Sequence, residues 1–265
     1  MVKSNNKSTT KRLAEYIALQ YNEKITPLDK IVVEEELNVF YDNYEVNTFD
    51  GMTIFDNGRF YVHLNIDKGN RPDSERGRFT LAHELGHYFI DAHRIGLKKG
   101  LLKPHPSETN KKQFAIIERE ADYFASCLLM PESRFLKDIG NKKFSFEVID
   151  FLKTEYKVSR TACAFRFAEI GNHPIMVVYA ENNIIKWVHP SDDFPYKSFI
   201  NDNIVPRDMV MGEYFTNNHI ADVFKTEVVW ALDCFKYVKD EDIQRKFYEH
   251  CISYKNSALS ILWED

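Results

Sequence analysis

The sequence predicts an α+β fold, and three observations carry that prediction. Segments with apolar residues at helical spacing alternate with short segments of period two. Between MTIF and RFYVHLNI stands Asp56-Asn57-Gly58, a tight turn signal that makes the pair an antiparallel hairpin. Shortly after it comes RFTLAHELGHYFIDAH, residues 78–93, whose apolar side belongs to a helix packed on that small sheet.

The elements are taken in chain order. Leu13, Ala14, Ile17, Ala18 and Tyr21 share one face of a helix over 11–22. Thr26-Pro27 reads as a cap and first-turn proline, opening a second helix that runs to about Leu37. At Asn38 the period changes. In the hairpin's second strand, Phe60, Val62 and Leu64 alternate with Tyr61 and His63, so one face is core and the other wetter. From Pro72 to about His93 a single long helix is expected. Residues 94–110 read as a connector, basic through Lys98, Lys99 and Lys103, bordering the site and moving freely. A strong helix from about Lys111 to Met130 is ended by Pro131. FSFEVIDFLKTEY and SRTACAFRFAEIG form a helical pair about Lys157-Val158, with Ser159 as cap. PIMVVYA and NIIKWVH read as strands about Glu181-Asn182-Asn183, and ALSILW as a last strand. The expected regions are 1–140, a core with an active-site helix on a small antiparallel sheet; 141–171, the helix-turn-helix-like pair; and 172–265, a mixed α/β region.

Composition excludes several classes. With 44% hydrophobic and 14% aromatic residues the 265-residue chain has the means to build a packed interior. A net charge of -5 argues against a general nucleic-acid or membrane-surface binder. No apolar run reaches the roughly 20 residues that cross a bilayer. The stretch MVKSNNKSTTKRLAEY lacks the apolar core of a signal peptide. Cys127, Cys163, Cys234 and Cys251 form no CxxC pair and sit among apolar residues, as buried reduced thiols would. The expected location is the cytoplasm.

The chemistry is concentrated in residues 83–87, His-Glu-Leu-Gly-His. His83 and His87 are one helical turn apart and project from the same face, which suits two ligands of one zinc ion. Glu84 lies one step round, placed to take a proton from a water at that ion but not to be a third ligand. Packed residues flank the motif: Phe79, Leu81, Ala82, Leu85, Phe89 and Ile90. Two exposed histidines on a surface helix would need no such surroundings.

A catalytic zinc site wants a third protein ligand and an open position. His93 has the spacing of the third histidine in HExxHxxGxxH, but Ile90 replaces the glycine that makes the required turn. The other candidate is Glu118 in IEREADYFASCLLMP. Glu118 and Asp122 are one turn apart, beside Ala121 and Ala125, so a helix crossing at small residues would bring Glu118 to the metal. Asp122 would then orient one ligating histidine. Glu120 points roughly 160° away from Glu118, at about 100° per residue, and is expected to face solvent.

These segments carry a resemblance. RGRFTLAHELGHYF followed by EREADYFASCLLMP resembles the ImmA/IrrE family of zinc metallopeptidases, and KVSRTACAFRFAEIG is similar to the segment that succeeds this core in family members. The likeness spans about residues 50–171. It implies a zincin-like core in which His83, His87 and Glu118 bind zinc and Glu84 is the general base. It also implies a cytoplasmic protein that cleaves, or otherwise inactivates, a helix-turn-helix repressor, derepressing mobile-element or stress-response genes. Some members carry an N-terminal DNA-binding domain. None is evident here, so the repressor is expected to be a separate polypeptide. Relatives of the IrrE type suggest a sensory, GAF-like role for 172–265. The alternative is a non-proteolytic anti-repressor or toxin-like interaction protein with a structural zinc. Glu84 and the lack of a clear fourth ligand favour catalysis. Direct DNA binding through 144–170 ranks last, because SRTACAFRFAEIG offers only Arg160 and Arg166. His93, Tyr123 and Arg160 are candidates for stabilising the transition state.

Overall fold

The computed structural model describes residues 2–46, 48–102, 114–200, 203–216 and 224–264. The chain divides into two compact units, Met1–Asp138 with Phe151–Ser159, and Ile139–Asp150 with Arg160–Asp265. The fold is α+β, with a separate sheet in each unit.

In the first unit, α1 (Val2–Leu19) and α2 (Leu28–Glu34) precede strands β1 (Asn38–Asp42), β2 (Gly51–Asp56) and β3 (Arg59–Asn65). The expected hairpin is present: β2 pairs antiparallel with β3, and Asn57 and Gly58 both take positive φ, 47° and 81°. β1 then adds to the far side of β3 in parallel, giving the order β1-β3-β2 and a mixed sheet. Phe60, Val62 and Leu64 are buried while Tyr61 and His63 remain partly exposed, the alternation the sequence shows.

Helix α3 (Glu75–Phe89) packs on β2 and β3. Ser74 starts it, its hydroxyl accepting from the Gly77 N–H at 2.9 Å, and Glu75 places a negative charge in the first turn. The single helix expected over 72–93 is in fact two. Ile90 adopts extended backbone, φ -71° and ψ 112°, and Asp91 opens a new first turn for α4 (Asp91–Lys98). Part of the connector expected at 94–110 is therefore helical. Its remainder from 103 onward lies outside the described residues. The turn at Ile90 carries His93 into the interior, where it is 1% exposed.

Helix α5 (Phe114–Leu129) crosses α3 and also packs on α1. The crossing is close because Gly86 has no side chain. A Cβ there would stand 3.2 Å from Ala121 Cα. Pro131 does end α5, but the chain resumes at once as α6 (Glu132–Ile139), burying Phe135 and Ile139. Helix α7 (Phe146–Tyr156) comes next, its residues shared between the two units.

The second unit holds α8 (Arg160–Ile170), β4 (Ile175–Glu181), β5 (Ile184–Pro190), α9 (Val210–Thr216), β6 (Phe224–Trp230), α10 (Ala231–Cys234), β7 (Lys246–Ser253) and β8 (Ser257–Trp263). The sheet is antiparallel in the order β5-β4-β8-β7-β6. Asn182 and Asn183, with φ of 50° and 64°, make the β4–β5 turn. Helix α8 packs on β4 and β5, while α9 packs on β6, β7 and β8. Met176, Val178, Phe194, Phe199, Phe235 and Phe247 form much of its core. The four cysteines are buried and none is in a disulfide among the described residues. Among the described residues no helix is long and apolar enough to cross a membrane.

Candidate metal centre

One turn of α3 supplies His83, Glu84 and His87, and the crossing at Gly86 and Ala121 sets α5 against that turn. Glu118, one turn before Asp122 on α5, is thereby brought to the histidines. His83 Nε2 lies 3.1 Å from His87 Nε2 and 3.2 Å from Glu118 Oε2, and His87 Nε2 lies 3.3 Å from Glu118 Oε1. Ligands at zinc-like bond lengths of about 2.0–2.1 Å in a tetrahedron stand roughly 3.3–3.4 Å apart. The two imidazole nitrogens, and the Glu118 oxygen that faces each of them, stand close to that spacing, and two imidazoles with one carboxylate are a donor set zinc accepts. His83 Nδ1 faces Asp122 Oδ1 at 2.8 Å, which turns Nε2 toward the group.

The local electrostatics suit a cation. Burial drives the His87 imidazole down to about 4, so its ring is neutral and its lone pair available near neutral pH. Burial opposes ionisation of Glu118, yet contacts with His83 and His87 outweigh it and hold the carboxyl below the usual range. Glu84 is different. It is 2% exposed, and burial pushes it up to about 7 against the pull of His83 and Thr53. The Thr53 hydroxyl donates to Glu84 Oε2 at 2.7 Å.

The other residues read from sequence fall elsewhere. His93 stands beside His87, ring centroids 5.2 Å apart, but its Nε2 meets Glu120 Oε2 at 3.1 Å. It lies outside the metal-holding group. Glu120 does not face solvent freely: besides His93 it accepts from the Asn6 side chain at 2.9 Å, so it ties α1 and α4 to α5. The Tyr123 ring carries Lys7 Nζ 4.6 Å from its centroid. Arg160 is engaged by Asp150, Nε to Oδ1 at 2.5 Å.

Sequence reasoning missed β2's part in the site. Gly51, Thr53 and Phe55 share one face of that strand, and Thr53 pairs in register with buried Val62. A threonine on a core-facing position is the signal that was there to find, since a buried hydroxyl needs a partner.

No curated protein matches the chain in sequence. In fold it is similar to a Mycobacterium tuberculosis transcriptional regulator, with a TM-score of 0.64 at 12% identity over 97% of this chain and 76% of that one. Residues 61–168 match the IrrE N-terminal-like domain, Peptidase M78. That segment holds α3, α4 and α5, and with them His83, His87 and Glu118, the group that could hold a metal ion. Over residues 61–168, then, the chain is similar to the IrrE N-terminal-like domain of the M78 metallopeptidases.

Proposed function

We propose that the protein is a zinc-dependent, site-specific endopeptidase whose substrate is a helix-turn-helix transcriptional repressor. The observation that carries this reading is the juxtaposition of a three-donor group with a buried carboxylate on the same helical turn. His83, His87 and Glu118 would hold the zinc, with Asp122 orienting His83. Zinc bound there supplies Lewis acidity toward a water and a peptide carbonyl. Glu84 takes the proton of the attacking water and returns it to the leaving amine, a transfer for which a carboxyl near 7 is well matched. The packed helices around it limit competing solvent. The repressor as substrate rests on the family, whose members act on such proteins, and a regulator of transcription shares the fold.

Glu84→Gln tests the reading. The amide keeps the shape but cannot accept the proton, so zinc content stays at the wild-type level. Fragment formation from a helix-turn-helix repressor co-expressed with this chain falls on the order of a hundredfold to ten-thousandfold. Release of the repressor's target genes by Glu84→Gln at wild-type strength would instead establish a non-proteolytic anti-repressor.

A further inference from the structure

Strand β2 runs beside α3 and meets the Glu84 carboxylate at two points. The Thr53 hydroxyl lies 2.7 Å from Oε2 and 3.2 Å from the Glu84 carbonyl oxygen, so its proton is directed chiefly to the carboxylate. Two residues earlier on the same strand face, Gly51 leaves a space. A Cβ there would stand 2.5 Å from Glu84 Oε1, 2.9 Å from Glu84 Cγ and 2.7 Å from Thr80 Cγ2. One residue grips one oxygen, and the other makes room for its twin.

The strand is itself fastened to the helix that bears Glu84. The Asn70 side-chain amide donates to Asp50 O at 3.2 Å and Asp50 Oδ1 at 3.1 Å. Asn70 Oδ1 accepts from the Thr80 hydroxyl at 2.7 Å. Arg76 closes the loop with a 2.6 Å contact to Asp50 Oδ1. Arg76 and Thr80 both belong to α3. Gly51 and Thr53 are thus held at a set distance from Glu84 by the same helix.

Stability alone does not ask for this arrangement. Burying a carboxylate against a hydroxyl is costly compared with an apolar pair of the same shape. A fixed carboxylate is what proton transfer needs, because a misplacement of about 1 Å costs roughly a hundredfold in rate.

We infer that Thr53 and Gly51 are positioning residues: β2 holds Glu84 in one orientation, Oε2 anchored by Thr53 and Oε1 kept clear by Gly51 for proton transfer. The inference rests on the proposed role of Glu84. Three variants of the full-length, zinc-loaded chain test it. Thr53→Val removes the hydroxyl at nearly constant shape, Thr53→Ser keeps it, and Gly51→Ala fills the space.

All three should retain wild-type zinc content, since no metal-holding residue is touched. In crystal structures, Thr53→Val and Gly51→Ala should each show the Glu84 carboxylate rotated from its wild-type position, and Thr53→Ser should not. With the co-expressed repressor as substrate, kcat should fall roughly tenfold to a hundredfold for Thr53→Val with KM unchanged, and Thr53→Ser should recover most of it. An unmoved carboxylate in both Thr53→Val and Gly51→Ala overturns the inference whatever the turnover. So does a displaced carboxylate with wild-type kcat. If wild type itself yields no fragment, the peptidase reading falls, and the crystallographic comparison still decides whether β2 positions Glu84.

Discussion

Gly86 sets the distance between the two ligand helices, and adding one methyl group there separates that role from every other. A Cβ at residue 86 would stand 3.2 Å from Ala121 Cα, 3.2 Å from Phe124 Cδ1 and 3.3 Å from Ala121 O. Carbon contacts settle at about 3.5–4.0 Å, so α3 and α5 must part by roughly 0.5 Å. Overpacking of this kind costs about 1–3 kcal/mol, and the better helix propensity of alanine returns about 1 kcal/mol. Gly86→Ala is therefore expected to destabilise the metal-free protein by about 0–2 kcal/mol. Its effect on metal is larger in proportion. Ligand distances tolerate only about ±0.2 Å, and Glu118 moves with α5. Zinc affinity should drop roughly tenfold or more, the scale seen when support around a metal site is disturbed. Denaturant unfolding of the metal-free protein gives the first quantity, and competition with a chelating indicator gives the second. A variant about 1 kcal/mol more stable than wild type, with unchanged zinc affinity, would refute the argument that this contact sets the ligand spacing.

Two further outcomes are expected. Elemental analysis of Glu118→Ala should show substantial loss of zinc, whereas Glu120→Ala should keep it, because Glu120 contacts His93 and Asn6 and not the donor group. The second concerns Glu249 in β7, fully buried and bonded by the Val210 and Met211 N–H groups and the Ser260 hydroxyl. Burial outweighs these donors and lifts its carboxyl from 4.5 to about 7. As pH rises through that interval the unfolded chain sheds the proton first. Stability is therefore highest below the lower value and declines by up to about 3 kcal/mol on approaching the upper one. Urea unfolding of wild type against Glu249→Gln between pH 4.5 and 7.5 measures this; equal slopes for the two would remove Glu249 as the cause.

The parts of the fold that were legible are those where local chemistry and tertiary packing ask for the same thing. The β2–β3 hairpin needs positive φ at Asn57 and Gly58, and those residue types announce it. Helix α5 places its apolar face on α1 and α3, so its period is visible over many residues. Strands β6 and β7 gave no comparable signal. In β7, KFYEHCIS, Glu249 and His250 are buried on opposite faces of the strand, and their partners are the backbone of α9 and the Thr226 hydroxyl. Polar residues satisfied by distant groups look in sequence like a loop. In β1 no residue is fully buried, and its parallel pairing with β3 depends on contacts some twenty residues away. The break at Ile90 was hidden for a related reason. Nothing about isoleucine stops a helix, and His93 becomes buried only because the chain turns there.

The site divides along the same line. His83, Glu84 and His87 are readable because a single helix fixes their spacing, and Glu118 with Asp122 because a second helix fixes theirs. What brings the two sets together is a contact of backbone with backbone, Gly86 on Ala121, for which sequence offers only the presence of small residues. Beyond the helices the logic changes. Thr53 and Gly51 bear on Glu84 through a strand some thirty residues upstream, and the only hint of it in sequence is a hydroxyl on a core-facing position. A threonine is an ordinary strand residue and a glycine an ordinary strand start. Their meaning comes from facing one buried carboxylate, at 2.7 Å for the hydroxyl and with no room for a methyl group at the other. Metal donors can be sought by residue type and periodicity, whereas the groups that aim a general base are found by asking which neighbours a buried carboxylate cannot do without.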